Sequence, residues 1–237
     1  LFRWDVLKTT GYRWWIDRIR TNLFLYDIIR IDHFRGFAAY WAVPYGEKTA
    51  IHGKWIACPG RDFFDKLQAE FGDLAIIAED LGVITPDVEE IRDGFGLPGM
   101  KILQFAFDSS EAHDYIPHNY NKNCVVYTGT HDNDTLAGWF AAADKEDKRY
   151  VLDYLQCSEE EIHWSFIRLA MASVAYTAIF PMQDLLGLGS EARMNLPGTT
   201  QNNWQWRARA DYFSDELASR LAMLTTLYGR ILKVKKN

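Results

Sequence analysis

Cysteine is scarce in this chain: Cys58, Cys124 and Cys157 in 237 residues, an odd number at wide spacing with no C-x-x-C pair. That excludes a disulfide framework and a thiolate zinc site, and it points to a reducing compartment, the cytoplasm or, for a plant source, a plastid. Positive charge is also short, 26 Lys and Arg against 32 Asp and Glu for a net charge of −6. Neither a nucleic-acid backbone nor an anionic membrane suits such a balance, and a neutral ligand suits it better. The basic tail Lys233, Lys235 and Lys236 reads as a solvated end. There is no run of about 18 apolar residues and no charged-then-apolar leader, so a soluble, unexported protein is expected. Residue 1 is Leu rather than Met, which fits a trimmed or partial start. No G-x-G-x-x-G follows the first apolar strand and no G-x-x-x-x-G-K-[ST] occurs, which removes the usual phosphate cradles of nucleotide-binding sheets.

What the chain has in abundance is apolar and aromatic surface, 48% hydrophobic and 15% aromatic residues with nine Trp and twelve Tyr. This composition builds a folded core, and its flat rings also make platforms on which sugar rings stack. The organising stretch is Ile28–Gly36, an apolar run ending in Arg30-Ile31-Asp32-His33-Phe34-Arg35. Ile28, Ile29 and Ile31 are β-branched, as in a strand covered on both faces. Residues two apart in a strand share a side, so Arg30 and Asp32 sit together and the guanidinium holds the carboxylate ionised. An ionised, oriented carboxylate is a nucleophile. The same pair is equally consistent with a structural ion pair at a strand end.

Along the chain the pattern repeats as strand, polar tip, loop and helix. Trp15, Ile16, Ile19 and Leu23 give helical spacing over Tyr12–Leu25, and an aromatic stretch through Trp41, Tyr45 and Trp55 reads as a long loop. Phe63, Phe64 and Leu67 form a helical stripe stopped by Gly72. Leu74–Ala78 is then a short strand ending in Glu79-Asp80. Thr85-Pro86 starts a helix, Met100–Phe107 is a strand closed by Asp108, and Asn123–Tyr127 is a strand running into Thr130-His131-Asp132-Asn133-Asp134. Helices over Thr135–Ala143, Lys145–Leu155 and Glu159–Val174 follow, the last opened by a Ser158-x-x-Glu161 capping box. A fifth strand, Tyr176–Met182, leads to a Gly/Pro/Asn-rich loop over Gly187–Trp206 and a helix from Asp215 to Leu232. Five such units without a fixed-period repeat indicate a parallel α/β sheet. Polar groups at several different strand tips favour the (β/α)8 barrel, of which this chain supplies about strands 4 to 8 with long catalytic loops, as one catalytic domain incomplete at its N-terminal side.

Asp32, Glu79 and Asp132 are the candidate catalytic carboxylates, with enough chain between them for one or two strand–helix units each. Two carboxylates in different environments perform glycoside chemistry, one attacking the anomeric carbon while the other shuttles the proton. Asp32 beside Arg30 fits the nucleophile, and Glu79 after four apolar residues fits an acid/base whose pKa burial raises. Each carboxylate taken singly is also a plausible cap or ion-pair member. The run His131–Asp134 lacks the Gly and closing Glu of a calcium loop. Nothing in the sequence calls for a metal or organic cofactor.

Three blocks, Arg30–Phe37, Ala78-Glu79-Asp80-Leu81-Gly82 and Gly129–Thr135, carry a family resemblance. With Gln183–Gly187, Arg193-Met194-Asn195, Pro197-Gly198-Thr199, Asn203-Trp204 and Trp206-Arg207, the chain resembles the 4-α-glucanotransferases, also called amylomaltases or disproportionating enzymes, nearly end to end. The resemblance implies retaining transfer of α-1,4-glucan segments between maltooligosaccharides. Asp32 would be the nucleophile, Glu79 the general acid/base and Asp132 the third carboxylate, gripping sugar hydroxyls. It further implies that Arg30, His33, Asp108, His131 and Asn203 bind sugar, with no cofactor, no nucleic-acid partner and no membrane. Members of the family are considerably longer on the N-terminal side, where they carry the first three barrel strands and further substrate loops. A hydrolase of the α-amylase group and an inactive glucan-binding fragment are the alternatives.

Overall fold

The structure is a computed structural model that describes residues 1–107 and 112–231. Asp108 and the tail lysines lie outside the described residues. The chain divides into two compact units, Leu1–Met100 and Lys101–Asn237.

The first unit begins with helices α1 (Trp4–Thr9) and α2 (Arg13–Leu25), then strand β1 (Ile29–Ile31) and a 3-10 turn over Phe34–Phe37. Strands β2 (Ala39–Ala42) and β3 (Lys54–Ala57) come next, followed by α3 (Gly60–Phe71), β4 (Ile76–Ala78) and α4 (Pro86–Gly94). β1 and β4 pair in parallel with Ile29 opposite Ile76, Arg30 opposite Ile77 and Ile31 opposite Ala78. Ala78 N–H also donates to Pro98 O at 2.9 Å, extending the backbone bonding on the other side of β4. The stripe Phe63, Phe64 and Leu67 is fully buried, and Phe34, Phe37, Ile76 and Val88 join it in one core. Phe37 and Phe63 stack with ring centroids 5.2 Å apart, and Trp4 and Trp15 add tilted and edge contacts around them. Gly72 at φ 71 ends α3, a left-handed position that glycine takes without steric cost.

The stretch read as a loop between Trp41 and Trp55 is flanked by an antiparallel hairpin, β2 on β3, in which Trp41 faces Trp55. Alternation over only four residues in each arm is too short to separate a strand from irregular chain.

The second unit contains a three-stranded sheet in the order β5 (Gly99–Ile102), β6 (Cys124–Tyr127) and β7 (Thr177–Ile179), with the division between units falling within β5. β6 and β7 are parallel, with Val125 opposite Thr177. Helices α5 (Leu136–Ala142), α6 (Lys145–Leu155) and α7 (Ile162–Ala172) intervene, and α8 (Met182–Leu185) and α9 (Asp215–Leu227) follow. Phe107, Phe140, Val151, Phe166 and Ala170 centre this unit's core. The sequence places a strand through Phe107, but β5 stops at Ile102 and Leu103–Phe107 winds as a 3-10 turn. Four of those five residues are buried, the polar Gln104 among them, and a run buried on every side carries no period to distinguish strand from turn. The capping box does not form either. Glu161 adopts φ 55 and its carboxylate accepts from Arg220 at 2.6 and 2.9 Å instead of reaching back along its own chain.

Candidate active site

In the first unit, the pairing of β1 with β4 decides the geometry. Asp32 and Glu79 are the residues that follow the last register pair, Ile31 and Ala78, so parallel pairing delivers both carboxylates to neighbouring strand ends. Backbone bonds lock this arrangement: Glu79 N–H donates to Ile31 O at 2.9 Å and Phe34 N–H donates to Glu79 O at 3.0 Å.

Arg30 Nη2 lies 2.9 Å from Asp32 Oδ1, the ion pair that spacing of two along a strand leads one to expect. Asp32 is exposed, whereas Arg30 is partly buried. Glu79 is half-buried, and both of its oxygens are engaged. Oε2 accepts from His33 N–H at 2.5 Å and Oε1 from Leu81 N–H at 3.0 Å. Burial is the largest influence on its acidity and raises the pKa. The two N–H donors oppose it, the neighbouring Asp32 charge adds to it, and the net direction is upward. A cavity of about 320 Å³ is lined by Ile31, Asp32, His33, Trp4, Trp15 and Phe37 among others.

Behind Glu79 the chain is pinned by Asp80, which is buried. Its Oδ1 accepts from Met100 N–H and its Oδ2 from Arg92 Nη1, both at 2.6 Å. Gly99 permits this approach, since a Cβ there would stand 2.3 Å from Asp80 Oδ2.

In the second unit Asp132 is exposed after β6, and a loop more than sixty residues further on holds it. Asn195 Nδ2 donates to Asp132 Oδ1 at 2.6 Å, Arg193 Nη2 donates to Asp132 O at 2.7 Å, and His131 Nε2 lies 3.4 Å from Oδ2. The His131 ring packs on Trp204 with centroids 5.1 Å apart. Asn203 spends its amide inside this loop, accepting from Leu196 N–H at 3.0 Å and donating to Thr199 O and Oγ1 at 3.1 and 3.0 Å. Beneath the strand tip, Asp184 is almost fully buried and accepts from Thr128 Oγ1 at 2.6 Å and from Leu136 N–H at 2.8 Å. Desolvation pushes its pKa up to about 6, against the pull of those two donors. A polar cavity of about 610 Å³ lies between Ser190 and Asn203 and includes Arg193 and Asn195.

Among the sequence-chosen residues, the structure brings Asp32, Glu79, Arg30 and His33 together in the first unit and His131 with Asp132 in the second. Asp108 lies outside the described residues. The contacts that sequence reasoning passed over are the Leu81 N–H, the Asp80–Arg92 pair, and Arg193 and Asn195 on Asp132. Arg193 and Asn195 stood in the sequence as parts of a family block, with nothing local to tie them to Asp132. Among the described residues no group of three or more His, Cys, Asp or Glu is placed to hold a metal ion. Nor is any described helix long and apolar enough to cross a membrane.

The family model described as 4-alpha-glucanotransferase matches residues 1–212. The chain belongs to the 4-alpha-glucanotransferase family. A 4-alpha-glucanotransferase of Synechocystis is 57% identical over 233 residues, which are 97% of this chain and 46% of that protein. One of Thermus thermophilus is 48% identical, over 98% of this chain and 48% of its own length. The solved amylomaltase from Streptococcus agalactiae in complex with acarbose superposes with a TM-score of 0.92 at 40% identity, covering 97% of this chain and 47% of that one. The chain thus spans about half the length of the curated 4-alpha-glucanotransferases it matches.

Proposed function

We propose that this chain is the carboxylate-bearing part of a 4-α-glucanotransferase, corresponding to about strands 4 to 8 of a (β/α)8 barrel, that transfers α-1,4-glucan segments between maltooligosaccharides with retention. The observation that carries the reading is the placement of Asp32 and Glu79 directly after paired positions of two parallel strands, in a chain of this family. In the first half-reaction Asp32 attacks the anomeric carbon while Glu79 gives its proton to the departing glycosidic oxygen, leaving a glucosyl ester on Asp32 and a shortened glucan. In the second, Glu79 takes the proton of an acceptor hydroxyl, which attacks the anomeric carbon and regenerates the Asp32 carboxylate. The upward direction of the Glu79 pKa supports its acid role, and the Arg30 partner supports Asp32 as the charged one. Asp132 takes the third role, binding sugar hydroxyls as the transition state forms. Arg30, His33, Asp108, His131 and Asn203 are sugar-binding residues in this reading.

Incubation with maltotriose tests the proposal. Longer and shorter oligosaccharides together are the expected products. Glucose and maltose alone would make the chain a hydrolase, and unchanged maltotriose would leave it a non-catalytic piece. A cytoplasmic or plastid site of action follows the same reading, the Arabidopsis relative being named chloroplastic/amyloplastic.

A further inference from the structure

The carboxylate of Asp132 is held by a loop whose own footing is firm. A 3-10 turn over Ser190–Ala192 lies in that loop, with Ala192 buried and its carbonyl accepting from Gln183 Nε2 at 3.2 Å. Ser190 Oγ donates to Asp134 Oδ2 at 2.7 Å, so the turn is tied to the chain just past Asp132. Arg193 is the next residue after this turn, and its guanidinium donates twice. Nη2 reaches Asp132 O at 2.7 Å and Nε reaches Asn195 O at 2.9 Å. Asn195 in turn donates from Nδ2 to Asp132 Oδ1 at 2.6 Å and from its main-chain N–H to His131 O at 3.0 Å. Arg193, Asn195 and Asp132 therefore form a closed ring of three hydrogen bonds, each donated by a side chain.

We infer that Arg193 is a positioning residue: its planar guanidinium spans the main chains of Asp132 and Asn195 and so holds the Asn195 amide on the Asp132 carboxylate. Nε–H and Nη2–H lie on one edge of a rigid plane, which fixes the two carbonyls at the spacing that edge imposes. A lysine ammonium carries the same charge at one point and cannot impose that spacing. Both acceptors of the fork are carbonyl oxygens, so the device works by geometry and not by pairing charge with the carboxylate. Asp132 is exposed, where water competes for each bond singly. In a closed ring a bond broken at one place loosens the others, so the three hold together or release together. This deepens the glucanotransferase reading and rests on it for the role of Asp132.

The test is solvent exchange of the Asn195 side-chain NH2, followed by NMR in the full 237-residue chain and assigned with Asn195→Ala. Arg193→Lys keeps the charge and removes the fork, and Arg193→Met removes both. Each is expected to speed that exchange about 3- to 10-fold, as for the loss of one hydrogen bond, with an unchanged thermal melt. Asn203 supplies the internal reference, since its NH2 bonds to Thr199 in the same loop but outside the ring and should not move. Unchanged Asn195 exchange in both variants would overturn the inference. A wild-type rate in the Lys variant beside a faster one in the Met variant would do so too, because charge and not the fork would then hold the amide. Joint release of the Asn195 and Asn203 amides, or a lowered melt, would reduce Arg193 to a loop-folding role and overturn it as a positioning residue. Should neither variant fold by circular dichroism, the reciprocal reading decides: Arg193 Nε–H is expected to exchange faster in Asn195→Ala, and an equally protected Nε–H there would overturn the ring. In the maltotriose assay the Lys variant should lower kcat about 10-fold with KM little changed, and an unaltered kcat beside a loosened Asn195 would overturn the positioning role. An inactive wild-type chain would remove the glucanotransferase reading, while the exchange rates still decide whether the fork holds the amide.

Discussion

The Glu79 carboxyl is held between opposing influences, half-burial and the Asp32 charge on one side and two backbone donors on the other. If it donates and retrieves the proton, Glu79→Gln lowers the transfer rate by about 10²- to 10⁴-fold and removes the pH limb belonging to this group, as steady-state rates across pH would show. Asn195 is a subtler case. Its bond to Asp132 Oδ1 orients a carboxylate that is otherwise exposed. Asn195→Ala should therefore cut kcat by about 10- to 100-fold with little change in stability, a loss of orientation visible in kinetics and absent from a thermal melt. Asp32 and Glu79 were legible in the sequence because each ends an apolar run, so a strand and its tip could be recognised together. Asn195 was not, because the chain folds back over more than sixty residues to make the contact and no periodicity encodes that return.

At the scale of elements, the stripe of α3 was readable from helical spacing and is fully buried in its unit. Phe63, fully buried among Trp4, Tyr12, Phe37 and Phe64, should cost about 3–5 kcal/mol when cut to alanine, measured by denaturant unfolding. The turn after β4 depends on a different device. Arg92→Met leaves the Asp80 carboxylate buried with only the Met100 N–H and no cation, and is expected to destabilise by about 3–5 kcal/mol. Adding Asp80→Asn to that variant should recover a good part of the loss, since an asparagine oxygen still accepts from Met100. The sequence offered Asp80 only as the residue after Glu79. Arg92 belongs to the next helix, and its charge was indistinguishable there from an ordinary solvated face.

For the molecule as a whole, pH dependence of stability should carry a contribution from Asp184. Its pKa rises from an ordinary 3.8 in the unfolded chain to about 6 in the fold because desolvation outweighs its two donors. The folded state therefore binds the proton more tightly than the unfolded state between those values. This group's contribution declines as pH rises from about 4 to 6 and stays lost above that window. The shift corresponds to at most about 3 kcal/mol. Asp184→Asn keeps an acceptor for Leu136 N–H and offers a donor to Thr128 Oγ1. Unfolding measured from pH 4 to 7 should show a flatter profile in the variant, with the wild-type chain losing stability relative to it as pH rises. An unchanged difference across that range would show that Asp184 keeps the same charge in both states.

By itself the sequence determined the class of fold, the succession of strand tips and the family. Those depend on local patterns: apolar runs, stop signals and blocks of contiguous residues. Left to the tertiary structure were the hairpin between Trp41 and Trp55, the early end of β5, and the partners that fix each carboxylate. Strand pairing places Asp32 next to Glu79, and the His33 N–H bonded to the Glu79 carboxylate ties the two ends together. Such contacts join residues distant along the chain, and only backbone hydrogen bonding and packing in three dimensions select them.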